Sequence, residues 1–196
     1  MQPAVAQFGG LELVTSQLVM TPRETSTALV DRALEHLAGG PGVVVDVGTG
    51  SGAIALAVAE AAPHAAVWAT DVSAAAVALA ELNARRAGLQ DRIAVRRGDL
   101  LDPFPGTADV ILANLPYLPF SERNRHPDLV AEPESALFAA GDGLGIVRRL
   151  VAAASRRLSP QGLLALQLRG RVHAARRPDL DVLEQVLAPQ PTAAAA

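Results

Sequence analysis

The chain has 196 residues, is 50% hydrophobic and carries a formal net charge of −3. This apolar content is enough for a packed core, so a wholly disordered chain is excluded. The chain contains no cysteine, which excludes disulfides, thiolate metal sites and cysteine nucleophiles. It also contains no lysine, since all 17 basic residues are arginine, and this excludes Schiff-base chemistry on lysine and the lysine of a phosphate-binding P-loop.

The distribution of charge and hydropathy along the chain argues against nucleic acids and membranes as binding partners. The arginines occur mainly as scattered pairs, which argues against a nucleic-acid-binding surface. No uncharged apolar run reaches the ~20 residues that span a bilayer, and the first residues lack the basic start and long apolar stretch of a signal peptide. The 4 histidines lie far apart, so no metal site is predicted. We therefore expect a soluble, cytoplasmic protein that does not bind a membrane.

The first predicted elements form an entry segment over residues 8–38. A short hairpin is expected from Leu11–Val14 and Leu18–Met20. A helix follows, because Thr25 and Ser26 suit a helix start and the next residues have a helical apolar stripe as far as Leu37.

The core is predicted over residues 42–170, where apolar runs of strand length alternate with segments of helical period. This pattern is typical of a parallel sheet covered by helices. Five strands are expected, in chain order: Val43–Gly48, Ala66–Thr70, Arg92–Arg96, Asp109–Ala113 and Gly162–Leu168. A long proline-rich loop precedes the fifth strand and its helix. Residues 171–196 are predicted to be a weakly structured tail, and the whole chain, 1–196, a single domain.

A glycine-rich turn, Asp46-Val-Gly-Thr-Gly-Ser-Gly52, joins the first core strand to its helix. In a doubly wound sheet, ligands bind beyond the carboxyl ends of the strands. Glycines there let the backbone approach a ligand, and the helix N-terminus offers N–H groups to an anion. The GxGxG spacing differs from the GxGxxG of dinucleotide sites, which disfavours a nicotinamide cofactor.

The next two strands also end in acidic residues. Asp71 closes the second core strand, where a carboxylate can accept hydrogen bonds from both ribose hydroxyls. Asp99 and Leu100 follow the third strand, where the carboxylate could bind an exocyclic amine and the leucine could cover a purine face. Three consecutive strand ends therefore predict a site for an adenosine-type ligand.

The segments DVGTGSGAIALAVA, ATDVS and GDLLDP resemble motif I and its successors in Rossmann-type S-adenosylmethionine methyltransferases. The resemblance implies a Rossmann-like, doubly wound α/β fold with a mostly parallel sheet of order 3-2-1-4-5, and S-adenosylmethionine as the cofactor. It places the cofactor's carboxylate by the amides of Gly48–Gly52, its ribose at Asp71 and its adenine by Asp99 and Leu100. The predicted cofactor-binding residues are Asp46, Gly48, Thr49, Gly50, Ser51, Gly52, Asp71, Asp99, Leu100 and Asn114.

The fourth core strand ends in Asn114-Leu-Pro-Tyr117, which is expected to face the methyl donor. Transfer to a planar NH2 group depends mainly on holding the nitrogen in line, and it needs no strong base beforehand. The Asn114 side-chain oxygen can accept one hydrogen of that group and the Pro116 carbonyl the other. The Tyr117 ring can stack on its plane.

Three segments resemble the HemK/PrmC type of protein-(glutamine-N5) methyltransferase. VMTPRETSTALVDRAL is similar to that family's PRPETExLV segment, Asn-Leu-Pro-Tyr to its (N/D)PP(Y/F/W) motif, and AEPESALFAAGDGLGIVRRLV to its EPxxALxGGxDGL segment. The resemblance covers about Phe8 to Gly170. It implies methylation of a glutamine side-chain amide, typically in the Gly-Gly-Gln motif of peptide chain release factors, with Asn114 and Tyr117 as the residues that hold the substrate. Together with Pro116, they are the predicted catalytic residues.

The chain departs from this family at Leu115, where the motif has proline. The Asn-Leu-Pro-Tyr form resembles rRNA adenine dimethyltransferases, so an adenine-N6 methyltransferase acting on RNA or DNA is one alternative, and a non-catalytic, methyltransferase-like binding subunit is another. The family's helical N-terminal domain and final antiparallel strand pair are not expected here. The loop from Pro119 to Pro133, with Arg123, Arg125 and His126, is expected to be a lid or a substrate-recognition element.

Overall fold

The computed structural model describes residues 4–129 and 131–187. Its main sheet contains six strands: β3 (Gly42–Val47), β4 (Ala65–Asp71), β5 (Ile93–Arg97), β6 (Ala108–Ala113), β9 (Leu158–Leu168) and β10 (Arg171–Arg176). The spatial order is β10-β9-β6-β3-β4-β5. All neighbours pair in parallel except β10, which is antiparallel to β9. The predicted order 3-2-1-4-5 is thus confirmed, with β10 as an additional edge strand.

Helices cover both faces of this sheet. They are α1 (Thr27–Leu37), α2 (Ala53–Ala61), α3 (Ala74–Arg86), α5 (Gly145–Arg157) and α6 (Asp181–Val186), whereas the short α4 (Glu134–Leu137) lies in the loop that follows β6. Successive residues of a strand point to opposite faces, so on β6 Val110 and Leu112 pack with α1, α2 and α3, while Ile111 and Ala113 pack with α5 and α6. Within the described residues, no helix combines the length and apolar character needed to cross a bilayer.

The N-terminal hairpin is present, but its predicted pairing is wrong. Strand β2 (Leu11–Val14) pairs with β1 (Val5–Phe8) and not with Leu18–Met20. The turn between them is Gly9-Gly10, with φ values of 54° and 87°. Two consecutive positive φ angles match the twist of paired strands, which favours this tight local turn over the longer connection predicted from the sequence.

The segment after Gly170 is more ordered than the sequence predicted. Strand β10 pairs along its whole length with β9, and Leu180 and Leu183 bury their side chains in the core beside α5. The weakly structured tail is therefore wrong for residues 171–187, and residues 188–196 lie outside the described part. The expected loss of the family's final antiparallel pair is likewise corrected, since one such strand is present. The tight Arg169–Gly170 turn, with φ values of 47° and 76°, sets this pairing.

The proline-rich loop after β6 is closed by a small parallel pair. Strands β7 (Leu118–Pro119) and β8 (Phe138–Ala139) join its two ends. The Phe120 ring stacks on Phe138 with their centroids 5.9 Å apart. The residues between these strands are thereby held beside the carboxyl ends of the main sheet.

Candidate active site

A cavity of about 230 Å³ lies at the carboxyl ends of β3, β4, β5 and β6. Most of the predicted site residues line it: Gly48, Thr49, Gly50, Ser51, Asp71, Asp99, Leu100, Asn114 and Pro116. The segment between β2 and α1 and the start of α4 complete its walls. The predicted residues Asp46, Gly52 and Tyr117 lie outside this lining.

The glycine loop between β3 and α2 is fixed by bonds within the protein. The amides of Gly48 and Thr49 both donate to the Thr70 carbonyl, at 2.8 and 3.0 Å. The Gly50 amide donates to Asp71 Oδ2 at 3.0 Å. These three amides are therefore not the free anion donors predicted from the sequence, and the Ser51 amide and the first turn of α2 are the places where donors for an anion can be found.

Close packing and a positive φ both favour glycine at two positions of the loop. A Cβ on Gly48 would lie 2.6 Å from Leu115 Cδ2, and a Cβ on Gly52 would lie 3.1 Å from Ala80 Cβ on α3. Gly48 therefore lets the turn that follows β6 pack directly against the loop. Gly52 lets α3 approach α2, and its contact with a ligand stays a prediction because it does not line the cavity.

Asp71 is positioned by two backbone amides. Its Oδ1 accepts a hydrogen bond from the Ser73 amide at 2.9 Å, and its Oδ2 accepts the Gly50 bond. Each carboxylate oxygen keeps further lone-pair capacity, and the half-buried side chain lines the cavity. Asp71 can therefore still accept hydrogen bonds from two neighbouring hydroxyl groups.

Asp99 and Leu100 bound the cavity at the end of β5. Asp99 forms an ion pair with Arg149 of α5, a partner that the sequence analysis did not identify. The Leu100 carbonyl accepts a hydrogen bond of 2.8 Å from the buried Thr70 hydroxyl. An exocyclic amine would bind Asp99 beside the Arg149 guanidinium, which already neutralises part of the carboxylate charge.

The Asn114–Tyr117 turn presents its first three residues to the cavity. The Asn114 Nδ2 group donates to Ser26 Oγ at 3.2 Å, so Oδ1 is the end of this carboxamide that remains to accept a hydrogen bond. Leu115 is 6% exposed and packs against the glycine loop. Tyr117 is half-buried against two hydrophobic clusters, and its stacking on a substrate stays a prediction.

The loop from Pro119 to Pro133 is tied to two other parts of the fold. Arg169, in the β9–β10 turn, donates to both carboxylate oxygens of Glu122 at 3.0 and 3.3 Å, which lowers the pKa of Glu122. Near the other end, Glu132 Oε2 accepts from the Thr21 amide at 2.9 Å. These contacts hold the loop next to the cavity, as a lid or recognition element requires.

Asn83 is a structural residue of the site that the sequence analysis missed. Its side chain is 1% exposed, accepts a hydrogen bond from the Val14 amide at 2.8 Å, and donates to the carbonyls of Val14 and Ser51 at 3.1 and 2.9 Å. It thus joins α3, the hairpin and the glycine loop. A single asparagine among the alanines and leucines of α3 was the signal that could have found it.

Asp46 lies beneath the glycine loop and is 1% exposed. Its Oδ2 accepts a hydrogen bond of 2.6 Å from the Thr49 hydroxyl, while Oδ1 has no hydrogen-bond partner among the described residues. Burial raises the pKa of Asp46 to about 7, against the opposing effect of the Thr49 hydrogen bond. Asp46 therefore supports the loop from below, and its carboxyl group ionises near neutral pH.

We expect Asp46→Asn to weaken the pH dependence of stability. The pKa of Asp46 is raised in the folded state from its ordinary value of 3.8, so between about pH 4 and pH 7 unfolding releases a proton and the free energy of unfolding falls as pH rises. A pKa shift of this size changes the free energy of unfolding by on the order of 2–4 kcal/mol across this pH range. Urea unfolding at pH 5 and pH 8 measures this pH dependence of the free energy of unfolding. The variant should gain stability relative to wild type at the higher pH.

Asp31→Asn is the matched control for this measurement, because Asp31 lies exposed on α1. It should leave the difference between the two pH values as in wild type. An Asp46→Asn protein with the full wild-type pH dependence would show that Asp46 does not carry the effect.

Comparison with known proteins agrees with this geometry. The methyltransferase small domain family matches residues 24–188. The release factor glutamine methyltransferase of Gloeobacter violaceus is 44% identical over 167 residues, covering 83% of this chain and 58% of that protein. The ribosomal protein uL3 glutamine methyltransferase of Burkholderia pseudomallei is 36% identical, covering 87% of this chain and 60% of that protein. The chain thus spans about 60% of the length of these relatives.

Solved structures give the same fold. The ribosomal protein L11 methylase of Lactobacillus delbrueckii subsp. bulgaricus superposes with a TM-score of 0.54 at 27% identity, covering 76% of this chain and 62% of that one. The resemblance to protein-glutamine methyltransferases is confirmed by the relatives, and the α/β architecture by the structures. Because the family match extends over well more than half of the sequence, this chain belongs to the methyltransferase small domain family.

Proposed function

We propose that this chain transfers a methyl group from S-adenosylmethionine to the side-chain amide nitrogen of a glutamine in a protein. The observation that carries the proposal is that one cavity is lined both by the glycine loop with Asp71 and Asp99 and by Asn114 and Pro116. Relatives named release factor glutamine methyltransferase support a peptide chain release factor as the substrate. The relative named for uL3 supports a protein glutamine as the acceptor in general.

The residues of the cavity fit S-adenosylmethionine. When bound, this cofactor supplies a methyl group on a positively charged sulfur, which makes the methyl carbon electrophilic. Asp71 keeps lone pairs for the ribose hydroxyls, and Asp99 keeps a carboxylate for the exocyclic amine. Leu18 and Val72 line the same cavity with side chains that are 71% and 66% exposed, so an apolar ring could cover them.

Asn114 and Pro116 are suited to hold the methyl acceptor. The nitrogen of a carboxamide is planar and a weak nucleophile, so the enzyme has to hold it in position for transfer. It can do so by accepting hydrogen bonds from the two hydrogens of the NH2 group. The Asn114 side-chain oxygen and the Pro116 carbonyl can each accept one of them. Positioning of this kind can lower a barrier by on the order of 7–11 kcal/mol at best. The nitrogen's proton becomes acidic as the methyl group is added and can then leave to water.

The loop beside the cavity favours a protein over a nucleic acid as substrate. Adenine also carries a planar NH2 group, but RNA and DNA are held mainly through cationic contacts to phosphates. Here Arg169 is paired with Glu122, and Arg123 with Glu134. These carboxylates neutralise two of the arginines that a phosphate backbone could otherwise contact.

A transfer assay with labelled S-adenosylmethionine tests the proposal. The purified chain is incubated separately with a release factor, the same factor with the glutamine of its Gly-Gly-Gln motif changed to alanine, ribosomal protein uL3, and rRNA. We expect label in the intact release factor and none in its alanine variant. Label in uL3 alone would retain glutamine chemistry and reassign the partner. Label in rRNA alone, or in no acceptor, would overturn the proposed function.

A further inference from the structure

We propose that Ser26 is a positioning residue that orients the Asn114 carboxamide towards the methyl acceptor. The proposal rests on the proposed function, because it takes Asn114 Oδ1 as the atom that holds the acceptor's NH2 group. Ser26 and Asn114 both line the cavity, and the Asn114 Nδ2 group donates to Ser26 Oγ at 3.2 Å. A carboxamide is planar, so anchoring its nitrogen end also sets the direction in which its oxygen points.

The Ser26 hydroxyl does not serve the usual role of a serine at a helix start. Ser26 is the residue before α1, where a serine side chain normally accepts a hydrogen bond from an amide of the first turn. Its own backbone is already helical, with φ −81° and ψ −7°, and its side chain makes no such bond. The residue is nevertheless 4% exposed. The contact with Asn114 therefore accounts for this buried hydroxyl.

The turn that carries Ser26 is anchored next to Asn114 by a second carboxamide. In the parallel register of β6 and β9, the residue before Asn114 pairs with the residue before Gln167. Asn114 and Gln167 are therefore neighbours at the carboxyl ends of these two adjacent strands. The Gln167 Nε2 group donates to Thr25 Oγ1 at 3.3 Å. Two adjacent carboxamides thus donate to two consecutive hydroxyls. The contact of Thr25 with Gln167 helps to hold the turn that carries Ser26 beside Asn114.

Removal of the Ser26 hydroxyl is expected to affect the rate and not the binding of the cofactor. In Ser26→Ala the Asn114 carboxamide can rotate and present its NH2 end to the methyl acceptor. The acceptor is then misaligned, although the Asn114 side chain is still present in the cavity. We expect kcat to fall by about 10- to 100-fold, with the Kd for S-adenosylmethionine within about twofold of wild type. Ser26→Thr keeps a hydroxyl at the same atom and should restore most of the rate.

Thr27→Ala is the matched control, because the Thr27 hydroxyl is exposed and donates to the Glu24 carbonyl at 2.7 Å. It removes a hydroxyl from the same segment without touching Asn114 and should keep the wild-type kcat. A Ser26→Ala enzyme with the wild-type kcat, or a Thr27→Ala enzyme with an equal loss, would overturn the proposal.

A measurement that does not depend on activity separates this proposal from the proposed function. In ¹⁵N NMR spectra, the side-chain NH2 pair of Asn114 is identified by its loss in Asn114→Ala. It should shift in Ser26→Ala and stay in place in Thr27→Ala. An unshifted pair overturns the role of Ser26 even if the wild-type protein is active. A wild-type protein that labels no acceptor contradicts the proposed function, while the NMR shift still decides whether Ser26 holds Asn114.

Discussion

Asn114→Ala is expected to lower the rate of methyl transfer by about a thousandfold and to leave the Kd for S-adenosylmethionine within about fivefold of wild type. The reason is the separation of tasks within the cavity. The proposed cofactor site is built mainly by the glycine loop and Asp71, whose conformations depend on Thr70 and on the Ser73 amide. In the proposed mechanism Asn114 contributes the oxygen that holds the methyl acceptor, and alanine removes this oxygen without a change to that framework.

Single-turnover transfer of labelled methyl groups measures the rate, and calorimetric titration measures cofactor binding. Gln90→Ala is the control, because Gln90 is an exposed carboxamide between α3 and β5 and does not line the cavity. It should have the wild-type rate. Transfer by Asn114→Ala at a rate close to wild type would remove this side chain from the mechanism, and a loss of cofactor binding as large as the loss of rate would make it a cofactor residue.

The parts of the site that the sequence predicted are those set by local pattern. Strands buried on both faces are apolar runs, and the residues that follow them meet at one edge of a parallel sheet. This is why Asp71, Asp99 and Asn114 could be assigned to one cavity without a structure. The hairpin shows the limit of the same approach, because two alternative partners for Leu11–Val14 lay within ten residues and the Gly9-Gly10 turn decided between them.

The parts that were missed depend on contacts between distant segments. Ser26 reads as a helix start in the sequence, and only the approach of α1 to β6 gives its hydroxyl to Asn114, 88 residues away. The glycine loop reads as a set of free amides, and only the pairing of β3 with β4 brings the Thr70 carbonyl to Gly48. Asn83 likewise makes its three hydrogen bonds with Val14 and Ser51, which belong to two distant segments. The helical periodicity of α3 gives no indication of these partners.

Gly143→Ala is the second substitution with a large expected effect, because Gly143 packs against the backbone of the Asn114–Tyr117 turn and its continuation. A Cβ on Gly143 would lie 2.8 Å from the Pro119 nitrogen and closer still to the Tyr117 carbonyl oxygen. Backbone atoms cannot rotate away as a side chain can, so the turn has to shift. The Gly143 φ of 84° adds strain for any residue with a Cβ. We expect a loss of on the order of 2–4 kcal/mol in the free energy of unfolding and of about a hundredfold in kcat.

Gly141→Ala separates the contact from the backbone strain. Gly141 also has a positive φ, 65°, but a Cβ there would meet nothing within 4 Å. This variant should lose only about 1–2 kcal/mol from the strained φ and keep kcat close to wild type. Urea unfolding and single-turnover transfer on the two variants compare the effects directly. If both lose the same stability and the same activity, the left-handed backbone alone matters. If only Gly143→Ala loses activity, the contact between residue 143 and the Tyr117 carbonyl is what keeps Asn114 and Pro116 in register with the cavity.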